Sequence, residues 1–299
     1  MIGQVPLDMQ LFAQTALTGL LLGGVYGLVA MGLSLIFGVM RVINFAHGSI
    51  VLVGMYLVYS LYNAGVNPFV ALLIAVPLGL LFGALLQTVL LGPVTGKDEL
   101  RQLLLTLGLS LIIKSIAQVI FSPNSLSLSG FTAGSTLVDI GGGLYVKPAH
   151  IIGFAIAILV AAMLVLILRY TDLGRRMRAV VDDSQMAESA GVRSKRIYTI
   201  SMAIGICIAI VAGGVLVTYQ PVSPTTGDAF LVIAFVAVVL GGLSSVYGAF
   251  VGGVIAGVVQ QLTSAFVGPA LQDAGLFVIF ILVLIFRPNG LFGRKGDVA

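Results

Sequence analysis

Long uncharged apolar runs alternate with short polar or glycine-containing segments along the 299-residue chain. A membrane-spanning helix needs about 20 mostly apolar residues, each advancing the helix by about 1.5 Å. The runs do not alternate between apolar and polar residues, which excludes an outer-membrane barrel. The pattern predicts eight or nine spans, taken from the segments 11–35, 44–63, 69–91, 103–121, 149–168, 198–219, 229–243, 248–267 and 274–286.

Composition leads to the same fold class. The chain is 59% hydrophobic and 9% charged, whereas soluble domains carry about 25% charged residues. We therefore expect an all-α polytopic membrane protein in which residues 1–299 form a single transmembrane domain. No positive residue precedes the first apolar stretch, so no cleaved signal peptide is expected. The single cysteine, Cys207, excludes a disulfide framework, and two histidines far apart in sequence indicate no metal site.

Positive charges are distributed unevenly between the predicted loops. Lys and Arg are enriched in the cytoplasmic loops of membrane proteins. With nine spans and an outer N-terminus, thirteen of the fifteen Lys and Arg residues fall on the inner side, and only Lys147 falls on the outer side. The sequence therefore predicts an outer N-terminus and a cytoplasmic C-terminus.

Polar residues interrupt the apolar pattern at the start of the second predicted span. Asn44, His47 and Gly48 lie together there, and buried polar side chains in a membrane tend to face the bundle interior or a water-filled path. One hypothesis is that they line a translocation path. The alternative is an interfacial cap, with Asn44 as the helix N-cap and His47 at the level of the headgroups.

A second interruption lies at residues 241–248 and contains Gly241, Gly242 and Ser244. Helix breaks at membrane depth are tolerated where the backbone is buried or lines a cavity. The alternative is an ordinary tight turn between two spans. On the first interpretation, we predict that this break and the break at 44–48 face one another across the path.

A short spacing motif occurs once in each half of the chain, and we call this repetition the echo. The spacing Gly-x3-Gly-x3-Gln occurs at residues 79–87 and again at 253–261, in spans of opposite predicted direction. Inverted repeats with glycine-broken helices are a common transporter plan, in which substrate passes near the repeat interface. The echo predicts such a repeat, although small-x3-small spacing is also common in ordinary helix packing.

Lys114 is the one charged residue in the middle of a predicted span. Its long side chain is expected to extend to the outer interface. Asp228, at the outer mouth of a later span, has no evident intramembrane partner, and the shortage of buried carboxylates argues against a proton-coupled or sodium-coupled carrier.

The longest inner segment, residues 170–197, has amphipathic character. Met177, Val180, Val181, Ser184 and Ala187 fall on one helical face, with arginines on the other. Asp182 and Gln185 have capping-box spacing, and Gly191 fits a helix C-terminus. We predict two short helices that dock on a partner protein. The alternative is a helix that lies on anionic headgroups.

Several segments resemble the permease subunits of bacterial high-affinity branched-chain amino acid ABC importers. They are INFAHG at 43–48 within a longer match over 19–57, the loop 171–192, the segment 238–259 and the ending FRPNGLFG at 286–293. The resemblance implies an inner-membrane protein that works with a second related permease, two cytoplasmic ATPase subunits and a periplasmic binding protein. It also implies that residues 187–191 belong to an ATPase-coupling loop, whose candidate residues are Arg176, Val180, Val181, Ala187, Glu188 and Gly191.

The predicted function is therefore inward transport of leucine, isoleucine or valine by a non-catalytic subunit. Residues 92–98 have the wrong spacing for a P-loop, so ATP and Mg²⁺ are expected on the partner subunits, with no cofactor in this chain and no nucleic-acid partner. Urea and short-chain amide permeases resemble the same group. A carrier or channel that works without ATP is a further alternative, whereas no constellation of residues supports an intramembrane enzyme.

Overall fold

A computed structural model describes residues 7–95 and 98–293. The helices are α1 (Leu7–Met40), α2 (His47–Asn63), α3 (Pro68–Leu85) with a π-helical continuation (Leu86–Leu91), α4 (Glu99–Phe121), α5 (Thr132–Ser135), α6 (Pro148–Tyr170), α7 (Asp172–Asp182), α8 (Ser184–Ser189), α9 (Ser194–Leu216), α10 (Thr226–Gly241), α11 (Val246–Phe266), a 3₁₀ turn (Pro269–Leu271) and α12 (Gln272–Phe286). The strands β1 (Val138–Asp139) and β2 (Tyr145–Val146) pair antiparallel.

The all-α polytopic fold class is confirmed. Within the described residues, seven helices are long and apolar enough to cross a membrane, and α10 is a shorter apolar helix. All nine predicted segments correspond to helices, but α2 has 17 residues and α10 has 16. At about 1.5 Å per residue, these two helices reach about 25 Å, which is less than the roughly 30 Å hydrocarbon core.

Local sequence signals explain where several helices begin. Asn67 caps α3 by accepting a hydrogen bond from the Phe69 N–H (3.0 Å), and Pro68 occupies the first turn, where no amide donor is needed. Asp98 caps α4 in the same way through the Leu100 N–H (3.1 Å). These two spans therefore start where a short polar side chain satisfies one of the first free amides.

The two halves of the chain interlock through small residues. Gly253 and Gly257 of α11 pack against the backbone of α1, while Gly79 and Gly83 of α3 pack against α9. Each copy of the echo thus lies against the first long helix of the opposite half. The arrangement agrees with the predicted inverted repeat, in which α1–α4 correspond to α9–α12, and it leaves α1 and α9 as the most buried spans.

The bundle has two ends of different chemistry. The hairpin end carries β1 and β2, which the side chain of Gln14 joins to α1 by accepting from the Tyr145 N–H (2.8 Å). The loop end carries α7, α8 and the turn between α10 and α11. Described Lys and Arg residues of the loops lie at the loop end, except for Lys147 at the hairpin end. Three of the thirteen positive residues predicted on the inner side, Lys97, Arg294 and Lys295, lie outside the described residues.

Candidate functional site

Helix α2 begins halfway through the bundle rather than at its surface. The Ser49 hydroxyl lies 2.7 Å from the Ser110 hydroxyl, and Ser110 stands midway along α4. The chain therefore enters from the loop end as non-helical backbone, and α2 continues only to the hairpin end. A break at this depth agrees with the rule that irregular backbone in a membrane protein lies inside protein or beside a cavity.

Side chains satisfy the amides of this entering segment. The Phe45 N–H donates to the Thr106 hydroxyl (3.3 Å), and the Ala46 N–H donates to the Asn44 side-chain oxygen (3.0 Å). The interpretation of Asn44 as the N-cap is wrong, because the N-cap is Ala46, which makes no side-chain capping bond. Asn44 instead closes the turn before the helix.

His47 is fully buried at the first position of α2. Its Nε2–H donates to the carbonyl oxygen of Val29 in the interior of α1 (2.9 Å), which rules out a position among the headgroups. Because the acceptor is a carbonyl, the proton is on Nε2, and Nδ1 is left as a buried acceptor without a partner.

Gly48 contacts the start of α10, not the Gly241–Gly248 break. A side chain on Gly48 would meet the Gly227 carbonyl oxygen at 2.1 Å, so only glycine allows the two helix starts to touch. We call this contact of α2 and α10 the junction. The beginning of α10 was not among the predicted path residues, although the polar run at 223–228, which includes its first turn, carried the signal.

The break at 241–248 is a tight turn at the loop end. Gly242 has φ +107°, and its N–H donates to the Val238 carbonyl (2.8 Å). Gly242 also packs against Asn289 and Gly293 near the end of the chain. The prediction that the two breaks face one another is wrong, because α10 separates the junction from Gly242 by its full length, about 22 Å.

Gly241 and Ser244 complete this turn. Gly241 packs against Gly248 at the start of α11, and Ser244 is exposed beside Gly38 at the end of α1. The Ser34 hydroxyl donates to the Leu243 carbonyl (3.3 Å), which fixes the turn to α1. The tight-turn alternative therefore describes the geometry of this segment.

Lys114 does not extend to the outer interface as predicted. Its Nζ donates to Asp228 Oδ1 at 2.6 Å, which joins α4 to the first turn of α10. Asp228 therefore has the partner that the sequence did not reveal, 114 residues away in the chain. In the sequence, this ion pair is visible only as two isolated charged residues in apolar surroundings.

Residues 170–197 fold as two short helices, as predicted. Thr171 caps α7, and Asp183 caps α8 by accepting from the Gln185 and Met186 N–H groups (2.8 and 2.9 Å). The predicted capping residue, Asp182, is wrong by one position. Gly191 has φ +86°, the left-handed conformation expected after a helix end.

The apolar face of this loop is turned toward its own bundle. Val180 and Ala187 are about 4% and 5% exposed, respectively, within the hydrophobic core, so they cannot form the predicted docking face for another protein. Val181 is exposed, as are Arg176, Glu188 and Gly191. An open groove of about 410 Å³ is lined by Arg176 and Gly191, together with Arg193 and Arg196 among others.

Within residues 7–95 and 98–293, no group of three or more His, Cys, Asp or Glu residues lies close enough to hold a metal ion. Cys207 is a buried free thiol whose Sγ–H donates to the Val76 carbonyl (3.5 Å).

The long apolar helices and the junction define a polytopic membrane transport protein. The chain belongs to the family described as the permease component of the branched-chain amino acid transport system, whose model matches residues 15–286. No solved structure matches it.

Among curated relatives, the permease LivH of Salmonella typhimurium is 29% identical and covers 95% of this chain and 96% of its own. BraD of Pseudomonas aeruginosa is also 29% identical, with the same coverage. Both are named as high-affinity branched-chain amino acid transport permeases. The fructose import permease FruF of Bifidobacterium longum is 24% identical, covering 87% of this chain and 73% of its own.

Proposed function

We propose that the chain is the membrane subunit of an ABC importer that carries leucine, isoleucine or valine into a bacterial cell. The observation that carries the substrate class is the similarity to LivH and BraD over 95% of the chain. The relation to FruF is lower, at 24% identity, and makes a sugar the second candidate. Apolar side chains next to the junction, among them Phe45 and Phe235 with ring centroids 5.4 Å apart, favour the aliphatic side chain over a polyol.

The proposal includes the partner subunits. A second related permease would complete the path, a periplasmic binding protein would deliver the amino acid at the hairpin end, and two ATPase subunits would bind ATP and Mg²⁺ at the loop end. The charge distribution supports this orientation in the inner membrane, because the loop end carries the positive loops typical of the cytoplasmic side.

The exposed side of the α7–α8 loop is the proposed coupling surface. Arg176, Val181, Glu188 and Gly191 lie on it, whereas Val180 and Ala187 hold the loop on the bundle from beneath. Coupling by such a loop needs a rigid attachment, and the buried pair supplies it. Substitutions of the exposed residues and of the buried residues of this loop should therefore have different effects.

Transport in a reconstituted system tests the proposal. The complete assembly is placed in proteoliposomes with ATP inside and the loaded binding protein outside, and uptake of labelled leucine, fructose and urea is measured in parallel. We expect leucine uptake that depends on ATP and is competed by isoleucine and valine. ATP-driven fructose or urea uptake without leucine uptake would contradict the proposal, as would leucine uptake that needs no ATP.

Two adjacent variants separate coupling from loop folding. Val181→Asp places a charge on the exposed surface, so the complex should assemble while transport per ATP hydrolysed falls several-fold. Val180→Asp buries a charge without a partner, so folded protein should be lost instead. Full transport in assembled Val181→Asp would remove residue 181 from the coupling surface.

A further inference from the structure

An ion pair lies inside the membrane-spanning region, beside the junction. Lys114 belongs to α4, and its Nζ lies 2.6 Å from Asp228 Oδ1. One turn earlier in α4, Ser110 contacts Ser49 of α2, and Gly227, next to Asp228, contacts Gly48. The pair is therefore at about half the height of the bundle, far from both ends.

The pair is not sealed in the protein interior. The side chains of Lys114 and Asp228 are 21% and 56% exposed in the isolated chain. Charged groups at the centre of a bilayer are costly when they face lipid, and they mark substrate pathways or protein contacts. This side of the molecule therefore faces water or another protein, as the lining of a path between two permeases would.

An apolar surface adjoins the charges. Val232 and Phe235 follow Asp228 at helical spacing on α10, and Leu111 precedes Lys114 by one turn on α4. Leu111 and Val232 are exposed, and the ring of Phe235 lies 5.4 Å from that of Phe45. Val232 and Leu111 thus each lie about one helical turn from a charged residue of the pair.

The helix starts at the junction add polarity to the charged side. Helix N-termini carry partial positive charge on their free amides. Neither Ala46 nor Thr225 caps its helix with a side-chain hydrogen bond. The fully buried His47 also keeps Nδ1 without a partner at the start of α2. An anionic group is therefore favoured beside Lys114, where the two helix starts lie.

We propose that Lys114 and Asp228 form a transient binding site for a zwitterionic amino acid on the translocation path. The substrate carboxylate would bind Lys114, its ammonium would bind Asp228, and its aliphatic side chain would lie on Leu111, Val232 and Phe235. The exchange leaves no charge unpaired, because each protein group trades its partner for the matching group of the substrate. An uncharged sugar or urea cannot make this exchange. The inference rests on the proposed function and specifies how that substrate class is selected.

The test is the double variant Lys114→Met/Asp228→Asn in the reconstituted assembly, with Lys147→Met as the control for a lysine at the hairpin end. Removing both charges together leaves no unpaired ion, so assembly should be preserved. ATP hydrolysis stimulated by the loaded binding protein should remain within about twofold of the parent. Leucine uptake should fall about tenfold to a hundredfold, the effect of losing one charge-assisted hydrogen bond or more, and Lys147→Met should transport normally.

Two outcomes would overturn the site. Leucine uptake close to that of the parent would show that the charges do not bind substrate. A parallel loss of assembly, ATP hydrolysis and uptake would show that the pair only holds α4 to α10. Failure of the proposed function is a separate result, because it would appear in the unmodified assembly as absent ATP-driven leucine uptake.

Discussion

The junction and the Gly241–Gly248 turn look alike in sequence but differ in the structure. Both combine glycines with short polar residues inside apolar stretches. The junction lies midway through the bundle and leaves His47 Nδ1 without a partner. The turn lies at the loop end, where backbone groups of the C-terminal segment complete it, as in the Leu291 N–H that donates to the Leu240 carbonyl (2.8 Å).

The difference shows what distinguishes a functional break from a connection. The turn at the loop end is completed mainly by backbone groups, with one side chain of a neighbouring helix, Ser34 of α1, bound to the Leu243 carbonyl. At half height the break relies on side chains, because the Thr106 hydroxyl of α4 accepts from the Phe45 N–H and the Asn44 side chain of the break itself accepts from the Ala46 N–H. Buried polar groups that still lack a hydrogen-bond partner therefore indicate a path better than a glycine-containing break does by itself.

The largest effect is expected from Gly48→Ala. The new methyl group would lie 2.1 Å from the Gly227 carbonyl oxygen, so the two helix starts must separate. We expect loss of transport and a stability cost at the upper end of the about 1–3 kcal/mol typical of overpacked cores. Uptake and thermal unfolding of the purified assembly measure the two effects. Parent-like behaviour would mean that the helices do not meet at Gly48.

Gly242→Ala should have a smaller effect that acts through stability. The residue has φ +107°, where a side chain costs about 1–3 kcal/mol, and the methyl group would also meet Gly293 N at 2.8 Å. Thermal unfolding is compared with Gly65→Ala, which has φ +88° and open space around it. Transport per folded complex should stay near normal, and a specific transport defect would restore Gly242 as a path residue.

His47→Ala should reduce uptake several-fold more than it reduces assembly. The Val29 carbonyl already accepts a bond within α1, so losing the histidine donor leaves it satisfied. Val58→Ala is the matched control, because it also shortens a fully buried side chain of α2, away from the junction. Equal losses of uptake in the two variants would assign His47 to packing alone.

Cysteine labelling should leave transport unchanged and locate both breaks. In a Cys207→Ala background, an impermeant thiol reagent should label cysteines at exposed Ser244 and Ser189 from one side of the membrane and at Ser127 from the other. A cysteine at buried Ser49 should be labelled from neither side. Labelling of positions 127 and 189 from the same side would overturn the orientation.

The sequence predicts the helical architecture well because lipid imposes it locally. Any apolar run of sufficient length must satisfy its own backbone, so the spans follow from composition. The predicted start of α2 matches within three residues, but its depth does not follow, because depth depends on contacts such as that of His47 with Val29. The packing of the two halves against each other could be predicted from the repeated glycine spacing.

The candidate site was harder to predict, because it depends on contacts between residues that are far apart in the sequence. Lys114 and Asp228 are isolated charges in the sequence, and only the fold, which places both α4 and α10 against α2, makes them a pair. The helical spacing of apolar residues identifies the apolar face of the α7–α8 loop. It does not show whether that face packs on the chain's own bundle or on a partner protein. Val180 and Ala187 have the right pattern for docking and are nevertheless buried in their own chain.

The length of α1 sets how the protein fits into bilayers of different thickness. Its 34 residues extend about 51 Å, well beyond a hydrocarbon core of about 30 Å. A free helix of this length would tilt to hide the mismatch. Here Gln14 is bound to the hairpin and Ser34 to the turn after α10, so tilting α1 moves both ends of the molecule. Adaptation to a thinner or thicker membrane therefore falls to the surrounding lipid, while the spacing between the two surfaces of the protein stays fixed.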